Sequence, residues 1–402
     1  RAAIADFSDE SNAEAFARFD RSTRALFQAF RGPMMEAPNP SIRSLISTVL
    51  RNPSLLGAMA PLATLDGHLA RLFSDPRLVQ LFGRYATYVG GSPLRSPALL
   101  GLIWQAEMEG VWHVVGGLAQ LPKAVDALIR RHGVTCHYGH TVTQINCQDG
   151  AVTSVSADGL ADVPADLVVF NGDPRALAKG ALGPDVAITA PNTLRTPRSH
   201  SALVWSFAAR PKGRALSHHN VFFSKDNARE FAELQAGQVP TNPTLYICAQ
   251  DRGGSAAPPP GALERFEIII NAPAVPEARP CELEFDLCQS RTFHTLSRYG
   301  LTFDPMPQRD ALMQPVDFAM RYPASLGALY GESPHGMTAS LKRPRAKTAI
   351  PGLYLAGGGA HPGAGIPMAA LSARHAVETI LSDRTSHSRS LQTATHGGTS
   401  TA

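Results

Sequence analysis

Residues 352–381, GLYLAGGGAHPGAGIPMAALSARHAVETIL, read as a strand, a glycine-rich crossing and a helix, and no other passage constrains the chain as much. Residues 353–356 form a short apolar run of strand type, and Gly357, Gly358 and Gly359 follow at once. None of the three carries a Cβ, so the turn leaves room for a ligand against the backbone. Pro367 suits the first position of a helix. Beyond it Ala370, Ala373, Val377, Ile380 and Leu381 recur at helical spacing, which predicts one buried face, while Arg374 and Glu378 form an i,i+4 pair elsewhere. The start of that helix then points at the glycines. Its unpaired amide N–H groups and positive dipole end favour a phosphate, or the negative charge that a reduced flavin collects at N1 and O2. A crossing that only packs is the competing reading.

The rest of the composition narrows the class. With 402 residues the chain can build two or three domains, and 44% hydrophobic against 17% charged residues is a globular balance. A net charge of +4 without a long Lys/Arg run gives no support to nucleic-acid binding, though weak attraction to an anionic membrane stays open. No apolar run approaches the roughly 18 residues of a spanning helix, and no signal peptide is visible, so the expectation is a soluble or peripheral protein on the cytoplasmic side. The five cysteines show no CxxC spacing, which argues against a disulfide framework. Among fourteen histidines neither HExxH nor a comparable ligand spacing occurs, and no metal is expected; His218 and His219 come nearest to a cluster.

Along the chain, residues 12–30, 41–50, 65–73 and 76–88 read as helices separated by Pro and Gly clusters. Leu65, Leu69, Phe73, Leu78 and Phe82 keep helical spacing, as in a domain core or a helical cap over a greasy pocket. Residues 118–133 predict a helix that buries Leu118, Leu121, Val125, Leu128 and Ile129, closed by Gly133. Short β-type runs follow at 134–138, 141–146, 151–156 and 166–170, with Asp149 and Gly150 as a hairpin turn. Strands are expected again at 201–208, 245–249 and 266–271, a helix within 281–296, an extended proline loop at 256–261, and a frayed tail at 386–402.

The passage LYLAGGGAHPGAGIPMAALSARHA closely resembles the C-terminal flavin motif of the bacterial carotenoid desaturases, the phytoene-desaturase-like branch of the amine-oxidase superfamily. About sixty residues from Gly116 to the NGDP at Asn171 resemble the same family's GGM…HG…DG…NADP segment. HHNVFFSKD, PTNPTLYICAQDR and APPPGALERFEIIINAPA follow in the family's order. The resemblance implies an α/β fold with a Rossmann-like FAD-binding domain, a helical cap and an α+β substrate domain built on an antiparallel sheet. It divides the chain into a cap with possible membrane contact at 1–110, FAD-binding parts at 111–186 and 311–385, a substrate domain at 187–310 and the tail. FAD would lie against Gly357, Gly358, Gly359, Gly363, Ala364, Gly365, Ile366, Pro367 and Met368, with its adenine against the backbone near Val142. The family also begins with a βαβ unit carrying GxGxxG, which has no counterpart after Arg1, so an incomplete chain that binds FAD poorly is expected.

No Ser/His/Asp order, paired-carboxylate motif or Walker sequence favours hydrolysis or phosphoryl transfer. The reaction implied by the resemblance removes two hydrogens from neighbouring carbons of a membrane-dissolved polyene, a hydride passing to flavin N5 and a proton leaving the adjacent carbon. Oxygen or a quinone would accept the electrons. His361, inside the glycine passage, is the candidate for a proton role, and its alternative is a ring packed beneath the turn or bonded to a backbone carbonyl. Ala360 before the histidine and Met368 after the proline bring GGGAHPGAGIPM closer to the hydroxycarotenoid 3,4-desaturases than to phytoene desaturases, with GAGTHPGAGIPGV. Phytoene desaturation, another amine-oxidase-type flavoenzyme and a non-catalytic carotenoid carrier are the other readings.

Overall fold

The computed structural model describes residues 1–254, 258–259, 261–276 and 283–394, and for 386–394 the backbone only. The expected proline loop therefore lies partly, and residues 281–282 and 395–402 wholly, outside the described residues.

The chain opens with seven helices: α1 (Ala2–Phe7), α2 (Glu10–Phe30), α3 (Ile42–Arg51), α4 (Ser54–Met59), α5 (Leu65–Leu72), α6 (Pro76–Gly83) and α7 (Ile103–Met108). Asp9 caps α2, its carboxylate accepting from the Asn12 N–H at 2.8 Å. Every third or fourth residue of α2 from Ala15 through Phe19, Thr23 and Leu26 to Phe30 is buried. Phe19 and Phe82 meet at 5.1 Å and Phe73 stacks on Phe82 at 5.3 Å, so aromatic rings fill the core these helices share. Ile42, Ile46 and Leu50 do the opposite. They lie one turn apart along α3 and are 52–73% exposed.

Next come α8 (Gln120–Arg131) and a three-stranded antiparallel sheet of β1 (Val142–Gln148), β2 (Ala151–Ala157) and β3 (Val163–Pro164). Asp149 and Gly150 turn between β1 and β2 with φ of 51° and 78°. These are the left-handed values a tight hairpin needs. Two expectations fail here. The helix forms, but none of its residues is buried, because no described element packs on its apolar stripe; Leu121 and Val125 are 40% and 50% exposed. Residues 134–138 run without a ladder partner and form no strand.

β4 (Val168–Phe170) leads into α9 (Pro174–Ala178), and then the chain builds its largest sheet. β5 (Ser201–Gly213), β6 (His219–Phe222), β7 (Leu245–Ala249) and β8 (Glu264–Ala272), with β9 (Leu301–Asp304) and β10 (Leu312–Met313), make six antiparallel strands in the order β10-β5-β8-β7-β6, β9 pairing the far end of β5. Helix α10 (Asn227–Gln235) links β6 to β7, and α11 (Phe285–Gln289) and α12 (Thr295–Arg298), joined by a π-helical turn, precede β9. Alternation puts Trp205, Ile247, Phe266 and Ile268 into a core closed by Phe293 and Leu296. Tyr246, Cys248, Glu267 and Ile269 face the other, half-buried side.

After α13 (Pro315–Arg321) and α14 (Ala339–Lys342) the chain returns. β11 (Leu353–Leu355) pairs parallel with β4, Leu353 opposite Val168 and Leu355 opposite Phe170, and α15 (Ile366–Ala394) closes the fold. The face of α15 differs from the expected one. Ser372, His375 and Ala376 are buried, whereas Ala370, Ala373, Val377 and Leu381 point outward. Small and polar residues win because the main chain of residues 36–37 lies against that side and offers carbonyls rather than apolar surface. Among the described residues no helix is long and apolar enough to cross a membrane.

Candidate functional site

Parallel pairing carries β4 and β11 to a common end, so Asn171, Gly172, Asp173 and Pro174 leave the sheet beside Gly357, Gly358 and Gly359. The Ala356 N–H donates to the Phe170 carbonyl at 3.1 Å, and there the strands part. Two of the glycines are required by this neighbour. A Cβ at Gly357 would stand 2.2 Å from Asn171 Oδ1, and one at Gly359 2.5 Å from Pro174 Cδ. A Cβ at Gly365 would meet nothing within 4 Å. Gly365, Ile366 and Pro367 are all exposed at the start of α15, so the free space lies there, some residues beyond the glycine triplet.

Buried charges lock the crossing from below. Arg343, 8% exposed, donates to the carbonyls of Gly358 at 2.9 Å, Tyr330 at 2.8 Å and Glu332 at 3.3 Å. Glu332 is buried as well; desolvation pushes its carboxyl up, and the charges of Arg343 and Arg198 partly counter that. Arg198 pairs with Asp173, which also caps α9 by accepting from the Arg175 N–H at 3.0 Å. Asn171, Asp173, Arg198, Glu332 and Arg343 escaped the sequence reading. NGDP was read as a strand end, and an isolated arginine in KRPRAK carries no local signature.

His361 lies within this frame and is 4% exposed. Its main-chain N–H donates to the Pro344 carbonyl at 2.8 Å, and its Nε2 lies 3.0 Å from the Ala37 carbonyl oxygen. About two and a half turns into α15, His375 reaches the Glu36 carbonyl in the same way, and the two rings stack 5.3 Å apart at 7°. The pair ties residues 36–37 to the glycine crossing. Burial, only partly countered by the bond to Ala37, pushes the His361 pKa down to about 4. The ring is therefore neutral at pH 7. The sign of its linkage follows: an unfolded His361 takes up a proton near pH 6.5 and the folded one near 4, so its contribution to stability is whole above 6.5 and lost as pH falls toward 4. Between those limits His361→Gln is expected to lose about 2–3 kcal/mol less stability than wild type, read from urea melts at each pH. Parallel pH profiles would remove the titration from this residue.

Of the residues read from the sequence, Gly357, Gly358, Gly359, His361, Gly363, Ala364, Gly365, Ile366, Pro367 and Met368 occupy this one corner. Val142 stands apart, 41% exposed at the start of β1 in the other small sheet. That sheet reaches the corner through Ile145 and Val152, which share a core with Leu353, Leu355 and Ala360.

Comparison with known proteins identifies the family. Residues 56–220 match the family described as flavin containing amine oxidoreductase. The chain is 51% identical to the hydroxyneurosporene desaturase of Cereibacter sphaeroides over 388 residues, 96% of this chain and 77% of that one. With the hydroxyneurosporene desaturase of Rhodobacter capsulatus it shares 46% over 384 residues, again 96% and 77%. The crystal structure of an oxidoreductase from Methanosarcina mazei has the same fold, with a TM-score of 0.52 at 16% identity over 85% of this chain and 78% of that one. The chain therefore belongs to the flavin-containing amine oxidoreductases, in their carotenoid-desaturase branch.

Proposed function

We propose that this chain desaturates a 1-hydroxycarotenoid at the 3,4-position, with FAD as the cofactor and a quinone or oxygen as the terminal acceptor. The observation that carries the reading is the open start of α15, exposed at Gly365, Ile366 and Pro367, in a chain of this family. A bound flavin supplies two-electron oxidation of a carbon–carbon single bond. The amides of Ile366 and Met368 at the start of α15 suit the electron-rich pyrimidine side of the ring, since they offer N–H donors at the positive end of a long helix. Residues 357–359 and 363–368 would hold that end of the cofactor, and the main chain at Val142 the adenine end. Arg343, His361 and His375 position this corner through backbone carbonyls and hold it rigid.

The substrate dissolves in membranes, and α3 offers a matching surface. Ile42, Ile46 and Leu50 form an outward apolar stripe, and Leu56 and Leu62 beyond it are 53% and 102% exposed. Peripheral attachment through the helical region on the cytoplasmic side is part of the proposal.

The test uses the natural gene product that carries this chain, mixed with liposomes containing either hydroxyneurosporene or phytoene. The expected outcome is co-sedimentation with the vesicles and one new conjugated double bond in the hydroxylated substrate, seen as a red-shifted product on chromatography. Conversion of phytoene alone would overturn the substrate assignment. Runs without oxygen, with and without added quinone, identify the acceptor.

A further inference from the structure

Antiparallel register in the large sheet assembles a group of metal-binding side chains that sequence spacing does not reveal. His219 on the edge strand β6 stands opposite Cys248 on β7, and Cys248 stands opposite Glu267 on β8. His218 joins them from just before β6. One donor atom each from His218, His219 and Cys248 lies within 4.8 Å of the others. We propose that these three side chains bind a divalent metal ion of the zinc class, at a site separate from the flavin corner.

Three features favour a built site over a chance meeting. Each imidazole already has its second nitrogen committed: His218 Nδ1 to the Ala249 carbonyl at 2.9 Å, and His219 Nδ1 to the Tyr246 hydroxyl at 2.8 Å. Such outer contacts fix ring orientation and, for His218, the tautomer, leaving Nε2 free for a metal. His218 Nε2 is 4.0 Å from Cys248 Sγ. Ligand atoms around a tetrahedral zinc ion are separated by about 3.5 Å, so a small inward shift of the side chains is enough. The ligand chemistry also selects: two imidazoles and a thiolate suit zinc, cobalt or copper and are poor for calcium or magnesium, which demand oxygen.

A third histidine is near, the ring of His113 lying edge-on to that of His218 with centroids 5.6 Å apart. Water or His113 completes the shell. With His113 as the fourth ligand, the ion would staple the edge strand β6 to β7 and pin the segment before α8 to the sheet.

The experiment titrates the full chain, reduced and freed of metal, with Co²⁺ and then Zn²⁺. One equivalent of Co²⁺ is expected to bind with a tetrahedral visible spectrum and a thiolate-to-cobalt charge-transfer band, and Zn²⁺ should displace it. Cys248→Ser should abolish the charge-transfer band, whereas Cys136→Ser keeps it. His219→Gln, at an exposed position that spares the core, should weaken binding at least about tenfold, no less than loss of an outer contact typically costs. Circular dichroism confirms that each variant is folded. The site is overturned if wild type takes up neither ion when the ion is in excess, or if the charge-transfer band survives Cys248→Ser. An unaltered affinity in His219→Gln has the same force.

Discussion

Arg343→Met is expected to lower the unfolding free energy by about 3–5 kcal/mol, because it leaves three carbonyls without a donor and takes from a buried acid one of the two positive charges that counter its burial. Methionine keeps the length and apolar bulk of the side chain, so the loss reports the guanidinium and little else. The carbonyls belong to Tyr330, Glu332 and Gly358, and the acid is Glu332, 4% exposed. One side chain thus spans two segments, and its removal frees the glycine crossing from residues 330–332. Arg374→Met is the comparison. Arg374 sits on the exposed side of α15 and pairs with Glu378 at 3.3 Å, an interaction of about 0.5 kcal/mol at most. Urea midpoints of the two variants should separate widely; if Arg343→Met costs under about 1 kcal/mol, solvent reaches this frame and the carbonyls are satisfied by water. A double variant, Arg343→Met with Glu332→Gln, should regain part of the loss, since the buried acid is gone while the carbonyls stay bare.

Elements fixed by short-range chemistry were legible before any coordinates. The hairpin at Asp149 and Gly150 follows from two residues that tolerate positive φ, and α2 from its Asp9 cap and apolar period. The strand, glycine crossing and helix within 352–381 are present as elements, but the helix runs on to Ala394, through residues 386–394 that the sequence assigns to a frayed tail. Faces were less legible, because a helix buries whatever its neighbour covers. In α8 the apolar stripe has no described partner, and in α15 a close main-chain neighbour selects Ser372, His375 and Ala376 over the alanine and valine stripe. Interactions between distant segments were the least legible. The His218–His219 pair stands out in the sequence, but Cys248 joins it only when β6 and β7 come into register, and Arg343 gains its meaning only when residues 330–332 and 358 converge. The glycines illustrate a subtler limit. Their small size reads as room for a ligand, but at Gly357 and Gly359 the space is filled by Asn171 and Pro174, and the opening lies at Gly365.

That division of labour among the glycines makes Gly357→Ala the second large effect, and its cost can be split in two. Gly357 has φ of +99°, where an L-residue is strained by about 1–3 kcal/mol whatever surrounds it. The new methyl would also lie 2.2 Å from Asn171 Oδ1, so either the amide must rotate out of its place or the two strand ends must part. Together these terms should cost about 3 kcal/mol or more, measured by urea unfolding. In an Asn171→Ala background the contact disappears and the strain does not, so the same substitution should then cost only the backbone share. Gly365→Ala supplies the opposite case. Its φ of +107° is equally unfavourable, yet its methyl enters open space, so stability should fall by the strain alone. Flavin occupancy in the natural gene product should rank the two differently from stability. Gly365→Ala projects a methyl into the very space proposed for the ring and should lower occupancy at least as much as the more destabilising Gly357→Ala. Full flavin content in Gly365→Ala, with the protein folded, would place the ring elsewhere and break the link between the open helix start and the proposed reaction.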